Sequence, residues 1–175
     1  MKCYDYYESP YGRMLLVATG GALCGAYFVG QKHFKNIESD WQCDPRAVAL
    51  VAARRELDEY FGGERRTFGV ALVSEGTPFQ RRIWSAIAAV PFGDTISYAD
   101  LARVADYPGS ARAAGAATGR NPIGVLVPCH RIVGADGSLT GYAGGLETKR
   151  RLLALEASVL SRTSGEDCDV LSKGT

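Results

Sequence analysis

The 175-residue chain contains no apolar run approaching the ~18 residues that a membrane span needs. A membrane partner is therefore not expected. Its first residues, Met1-Lys2-Cys3-Tyr4-Asp5, lack the apolar stretch of a secretory signal, so no export is expected either. Cysteine is sparse: the five lie at 3, 24, 43, 129 and 168, and no two make a CxxC. That argues against a disulfide framework and fits a reducing, cytoplasmic setting. Histidine is scarcer still, with only His33 and His130. Cys3, Cys24 and His33 can be drawn as a metal cluster, but no paired ligand spacing supports one. Neither a metal nor any other cofactor is expected. A strong charge of one sign is missing too, since 20 Lys and Arg against 19 Asp and Glu leave +1.

What is present is the 46% hydrophobic, 22% charged composition of a globular protein, long enough for one large or two small domains. The small net charge hides an asymmetry. Residues 78–151 carry 9 basic against 5 acidic side chains, a net of +4, while 1–77 come to −1 and 152–175 to −2. The basic middle fits a polyanionic partner without identifying one.

Residues 2–8 read as a strand, Ser9-Pro10-Tyr11-Gly12 as a turn, and 13–18 with 22–29 as a hairpin about Gly20-Gly21. Residues 31–43 are irregular, with Trp41 as an anchor. Asp44-Pro45 predicts a helix start, with Asp as cap and Pro in the first turn. That helix should reach Phe61 and bury Val48, Val51, Leu57, Tyr60 and Phe61, with Gly62-Gly63 ending it. Residues 68–74 read as a further strand. The first 75 residues thus make a small α+β supporting unit. The expected boundary lies at Glu75-Gly76, and a second unit covers 76–160.

Thr77-Pro78-Phe79-Gln80 has the pattern of a capping box with proline in the first turn. Phe79, Ile83, Ile87 and Val90 then form one apolar stripe. Short helices over 97–105 and 110–118, joined at Tyr107-Pro108-Gly109, outline either a helix-turn-helix or a plain αα-hairpin packed in a core. The second is almost all Ala and Gly, and Arg112 is its only long side chain. A final helix should run from Leu146 to about Val159, with Leu146, Leu153 and Val159/Leu160 on its buried side. Glu156 falls close to that side and needs a partner there; His130 and Arg131 are the candidates. Residues 161–175 read as a disordered tail, with Cys168 incidental.

Chemistry concentrates in Val125-Leu126-Val127-Pro128-Cys129-His130-Arg131-Ile132-Val133. The apolar run reads as a short buried strand that Pro128 stops. A thiol, a base and a fixed cation then follow in succession. Such a cysteine is either an inert buried hydrophobe or a nucleophile. On an extended strand the side chains of 129 and 130 would diverge, so cooperation requires a turn or a bridging water.

Val127-Pro128-Cys129-His130-Arg131-Ile132-Val133 resembles the signature of the O6-alkylguanine-DNA alkyltransferases. Thr77-Pro78-Phe79-Gln80, Ser97-Tyr98, Ala111-Arg112-Ala113, Arg120-Asn121-Pro122, Tyr142-Ala143-Gly144-Gly145 and Glu156 follow the same family in order. The resemblance implies an α+β protein: a small N-terminal antiparallel sheet with one helix, then a mostly helical, winged-helix-like part containing the helix-turn-helix. It implies direct repair, in which an alkyl group leaves O6 of guanine, or O4 of thymine, and is fixed once on Cys129. His130 would take the thiol proton, Glu156 would orient His130, and Asn121 would hold the active turn. The partner would be double-stranded DNA, met through its minor groove by a monomer, with the alkylated base flipped out. Tyr98 and Arg112 would serve flipping, with Ala111, Ala113 and Gly115 giving close approach. Tyr142, Ala143, Val127 and Arg131 would surround the base. Ala143 departs from the serine of some relatives.

Three competing readings differ in what they require. A lesion-binding relative without transfer would lack the cysteine, which is present. A helix-turn-helix regulator would want a recognition helix rich in polar side chains. A cysteine hydrolase using Cys129, His130 and Glu156 would turn over repeatedly.

Overall fold

A computed structural model describes residues 1–170, with side chains as far as Ser164. Three antiparallel strands open the chain: β1 (Lys2–Ser9), β2 (Gly12–Thr19) and β3 (Ala22–Phe28). A two-residue strand, β4 (Gln42–Cys43), adds parallel to β1, giving the order β3-β2-β1-β4. The run Met14–Ala18 is buried throughout because both faces of the sheet are covered. Met14, Leu16 and Ala18 join the main core, while Leu15 and Val17 pack with Tyr27 and Trp41 on the other face. Trp41 is thus the anchor expected of its irregular segment.

Helix α1 (Val48–Phe61) lies on the core face of this sheet. It starts later than the sequence predicts. Asp44 and Pro45 form a preceding turn, in which the Asp44 carboxylate accepts from the Arg46 amide at 3.0 Å. The cap position is Ala47, with no side-chain bond. The buried stripe is Ala49, Leu50, Ala53, Leu57 and Tyr60, whereas Val48 and Val51 face solvent at 82% and 48% exposure. Small alanines lie against the sheet where the larger valines were expected.

The expected strand over 68–74 is not formed. The buried Glu56 carboxylate accepts the amides of Gly69 and Val70 at 2.8 and 3.2 Å, and a single bridge pairs Leu72 with Leu23. A side chain thus satisfies backbone groups that a ladder would otherwise satisfy.

Helix α2 (Pro78–Ala88) has the predicted capping box between Thr77 and Gln80, and Ile83, Ile87 and Val90 are buried as expected. The Trp84 indole donates to the Ala117 carbonyl at 2.9 Å. This joins α2 to the helix pair α3 (Tyr98–Val104) and α4 (Ala111–Gly119). Ser97 caps α3, and the α3–α4 turn uses left-handed backbone at Asp106 and Gly109. Short parallel strands β5 (Ile96–Ser97) and β6 (Ile132–Val133) brace this unit.

No strand forms over 125–127. The backbone coils back on itself, and Val125 has φ of 71°. That conformation is strained for a β-branched residue and is held by complete burial. The turn continues into a 3-10 turn, Cys129–Arg131.

Helix α5 (Leu146–Val170) outruns its expected end near Val159. Hydroxyls of Ser161, Thr163 and Ser164 bond to carbonyls one turn earlier, in keeping with a helix through the polar sequence. Its buried stripe is Lys149, Leu152, Glu156 and Val159, and Leu146 is exposed rather than buried. Residues 171–175 of the expected tail, and the reading of Cys168, lie outside what is described. Among the described residues no helix is long and apolar enough to cross a membrane.

Replacing Thr77 with alanine removes one half of the capping box and is expected to cost about 1 kcal/mol. Urea denaturation of the variant should show a lower midpoint with an unchanged slope.

Candidate active site

The site is built on the coiled segment before Cys129. Asn121 Nδ2 donates to the Val127 carbonyl at 2.8 Å, and its Oδ1 accepts from the Ile123 amide at 3.0 Å. One buried amide thus ties both arms of the strained turn. The Cys129 amide donates to the same Val127 carbonyl at 2.8 Å. The 3-10 turn at Cys129–Arg131 is the change of direction that cooperation between a thiol and the next residue requires. Cys129 is 6% exposed and His130 fully buried.

Behind the cysteine stands one carboxylate. Glu156 Oε1 lies 2.7 Å from His130 Nε2 and accepts from the Tyr60 hydroxyl at 2.8 Å. Arg131 donates from Nε to Oε2 at 3.0 Å and from Nη2 to Oε1 at 2.9 Å. The Gly93 amide donates to Oε2 at 2.9 Å. Arg131 completes its own bonding with the Val90 carbonyl at 2.6 Å. Its guanidinium is therefore committed to Glu156 and a helix end. Of the four residues that the resemblance groups round the base, Tyr142 and Ala143 line the Tyr98–Tyr142 cavity and Arg131 and Val127 do not.

Proton positions follow from this geometry. A carboxylate only accepts, so the hydrogen of neutral His130 sits on Nε2. Nδ1 then presents its lone pair. It is buried and has no hydrogen-bond partner among the described residues. Burial lowers the imidazole pKa from its ordinary value, against the pull of Glu156. Burial alone would raise the Glu156 carboxyl, but the donors from His130 and Arg131 outweigh it and keep the group ionised. Burial also raises the Cys129 thiol, opposed by the Asn121 side chain and by Lys149. The resting state is a thiol beside a neutral base.

Lys149 is fully buried, and its ammonium donates to the carbonyls of Ile132 and Thr140 at 2.5 and 2.8 Å. Tyr98 donates its hydroxyl to the same Thr140 carbonyl at 2.9 Å. Burial raises the Tyr98 and Tyr142 phenols, and proximity to the Cys129 sulfur adds to both. A cavity of about 410 Å³ is lined by Tyr98, Gly115, Tyr142 and Ala143, among others. Gly144 lies behind it, where an added Cβ would press on the rings of Tyr142 and Phe28 at 2.9 and 3.0 Å. On α4, Arg112 and Ala113 are exposed and Ala111 and Gly115 half-exposed, while Ala114, Ala117 and Thr118 face the core. The turn through Cys129–Arg131 thus meets Asn121 on one side and Glu156 on the other, with Cys129 close enough to Tyr98 and Tyr142 to act on both phenols. Tyr60, Gly93 and Lys149 were not expected. Tyr60 had been read only as core. A lysine on an amphipathic helix gives no signal of burial.

Comparison with known proteins gives the family. A family model described as "6-O-methylguanine DNA methyltransferase, DNA binding domain" matches residues 78–158, and one described as "6-O-methylguanine DNA methyltransferase, ribonuclease-like domain" matches residues 2–73. The chain belongs to the 6-O-methylguanine DNA methyltransferase family. It is 43% identical over 153 residues to a methylated-DNA–protein-cysteine methyltransferase of Mycolicibacterium paratuberculosis, spanning 87% of this chain and 91% of that one. A protein of the same description from Methanosarcina acetivorans is 41% identical, over 89% and 98% of the two chains. The crystal structure of Mycobacterium tuberculosis O6-methylguanine methyltransferase superposes with a TM-score of 0.83 at 42% identity, covering 90% and 94%. The same protein in complex with DNA gives the same score, identity and coverage.

The buried neutral imidazole fixes a sign for pH. The unfolded chain takes up a proton near the ordinary histidine value of about 6.5, and the folded chain takes it up only at lower pH. Stability from His130 is therefore complete above that value and lost as pH falls below it. Glu156, whose folded pKa is depressed, adds a loss in the same direction at still lower pH. Denaturant unfolding between about pH 7.5 and 5 should show this decline, and His130→Gln should flatten its upper part.

Proposed function

We propose that this chain repairs DNA directly, moving a methyl or other alkyl group from O6 of guanine to its own Cys129 and stopping there. Family membership and the relatives' shared description support the activity. The observation that supports the residue assignment is the His130–Glu156 pair, which leaves Nδ1 free to accept a proton, with the buried Cys129 as its neighbour in the chain.

In this reading the thiol proton passes to His130 Nδ1, by way of a water, and Glu156 stabilises the resulting imidazolium. The thiolate attacks the alkyl carbon in line. A C–S bond forms as the C–O6 bond breaks, and the electron pair leaves on the guanine. Tyr98, kept protonated by its burial, donates the proton that the departing guanine needs, and the proton held by His130 then returns the phenolate to a phenol by way of water. Freeing the cysteine from its thioether would mean expelling a thiolate from an unactivated alkyl carbon, which nothing in this set of residues promotes, so the reaction stops at one equivalent.

The lesion edge lies inside the duplex, so the nucleotide must leave the stack, at a cost of a few kcal/mol. We assign the exposed face of α4 to close contact in the minor groove, with Arg112 filling the vacated space. Ala111, Ala113 and Gly115 permit that approach. Tyr142 and Ala143 flank the extruded base. Residues 1–75 act as the supporting unit, residues 76–160 as the binding and transfer unit, and the chain works as a monomer.

Intact mass after incubation with a duplex carrying one O6-methylguanine should rise by one CH2, on the peptide holding Cys129. Cys129→Ala should show no gain. Repaired DNA with unchanged protein mass would mean true turnover and a hydrolase-like route. Arg112→Ala should slow transfer from duplex DNA at least tenfold, the equivalent of ~1.4 kcal/mol, with little effect on the free base O6-benzylguanine, which needs no flipping. Tyr98→Phe reacting at the wild-type rate on saturating DNA would remove Tyr98 as proton donor.

A further inference from the structure

The N-terminal half does more at the cavity than support it. Lys32 and His33 line the cavity shared by Tyr98 and Tyr142, together with Arg120 from the end of α4. A second cavity of about 240 Å³ has His33, Gly119 and Arg120 in common with it and continues to Lys35 and Lys2. The two cavities thus meet the same three residues at the end of α4. The one acidic side chain lining them, Glu75, lies 3.6 Å from Lys2 and is countered there.

The segment that brings these lysines is fixed in place. The Lys32 amide donates to the Ala143 carbonyl at 3.1 Å, joining it to the loop that carries Tyr142. The Phe28 amide donates to the Gln31 side chain at 2.8 Å, and the Phe34 amide to the Gln31 carbonyl at 3.1 Å. His33 is held at φ of 61°, a left-handed conformation that is uncommon away from glycine. Lys32, Lys35 and Arg120 are exposed. Among the described residues none of the three takes part in an ion pair.

A base entering the cavity brings its own sugar and phosphates over the cavity mouth. Unpaired cations along that path, on a segment bonded to the site loop, fit a phosphodiester backbone. We infer that residues 31–35 form a second DNA-contacting surface, in which Lys32 and Lys35, with Arg120, hold the phosphates of the lesion-bearing strand beside the extruded nucleotide. This rests on the transfer reading above. The N-terminal half, which carries a net −1 over residues 1–77, would then meet DNA through this local basic segment alone.

The test is salt dependence. Binding of a labelled duplex with one O6-methylguanine is measured over a NaCl series, in a Cys129→Ala background so that the lesion persists. Lys32→Gln and Lys35→Gln should each make the slope of log K against log salt shallower by about 0.9, as expected for one lost phosphate contact. Lys32→Glu should weaken binding further, and Arg55→Gln, an exposed change on α1, should leave the slope alone. An unaltered far-UV spectrum controls for folding. Lysine variants with the parental slope would overturn the inference, and wild-type protein that still gains its methyl would leave the transfer reading standing. Wild-type protein that gains neither a methyl from the duplex nor a benzyl from free O6-benzylguanine would remove both.

Discussion

One buried carboxylate organises this molecule. Glu156 receives a tyrosine hydroxyl, an imidazole N–H, a guanidinium and a backbone amide, from α1, the 3-10 turn and the α2–β5 connection. An isolated carboxylate could not persist at zero exposure, since burying an ion without partners costs far more than a fold of this size can offset. The carboxylate therefore demands its donors, and each donor fixes an element. Arg131 orients the turn after Cys129, Gly93 fixes the α2–β5 connection, and Tyr60 holds α1 against both. The same contact that satisfies the charge sets the tautomer of His130.

The reactivity of the cysteine follows from burial rather than from a strongly positive setting. A sulfur in this position is not a thiolate at rest, because desolvation opposes the anion more than Asn121 and Lys149 favour it. A permanently ionised thiol would be open to oxidation and to stray electrophiles. A protonated one with a neutral base behind it stays inert until a substrate is present. Strain at Val125 belongs to the same design, since the coil it permits brings Asn121, Cys129 and His130 into one small volume.

Much of this was legible in the chain. The Thr77–Gln80 box, the hairpin about Gly20-Gly21 and the helix pair around Tyr107-Pro108-Gly109 follow from local rules, and the structure has them. Cys129, His130, Asn121 and Glu156 were legible through motif resemblance. What failed did so where tertiary contacts override local pattern. Residues 68–74 alternate like a strand, yet Glu56 takes their amides. Residues 125–127 are apolar like a strand, yet Asn121 bends them. On α5 the buried stripe is half charged, so apolar periodicity points to Leu146, which is exposed, and gives no sign of Lys149, which is buried. Tyr60 looked like any core aromatic because only its hydroxyl, reaching 96 residues along the chain, has a special partner.

That hydroxyl also bears on how the two halves of the chain can diverge. Tyr60 sits in the half matched by the ribonuclease-like model, and Glu156 in the half matched by the DNA-binding one. Their bond makes the proton chemistry of one half depend on a single atom of the other. In a chimera joining the first half of one relative to the second half of another, the junction would matter less than whether position 60 still offers a donor. The halves can drift in sequence along most of their length, but at this contact they must change together.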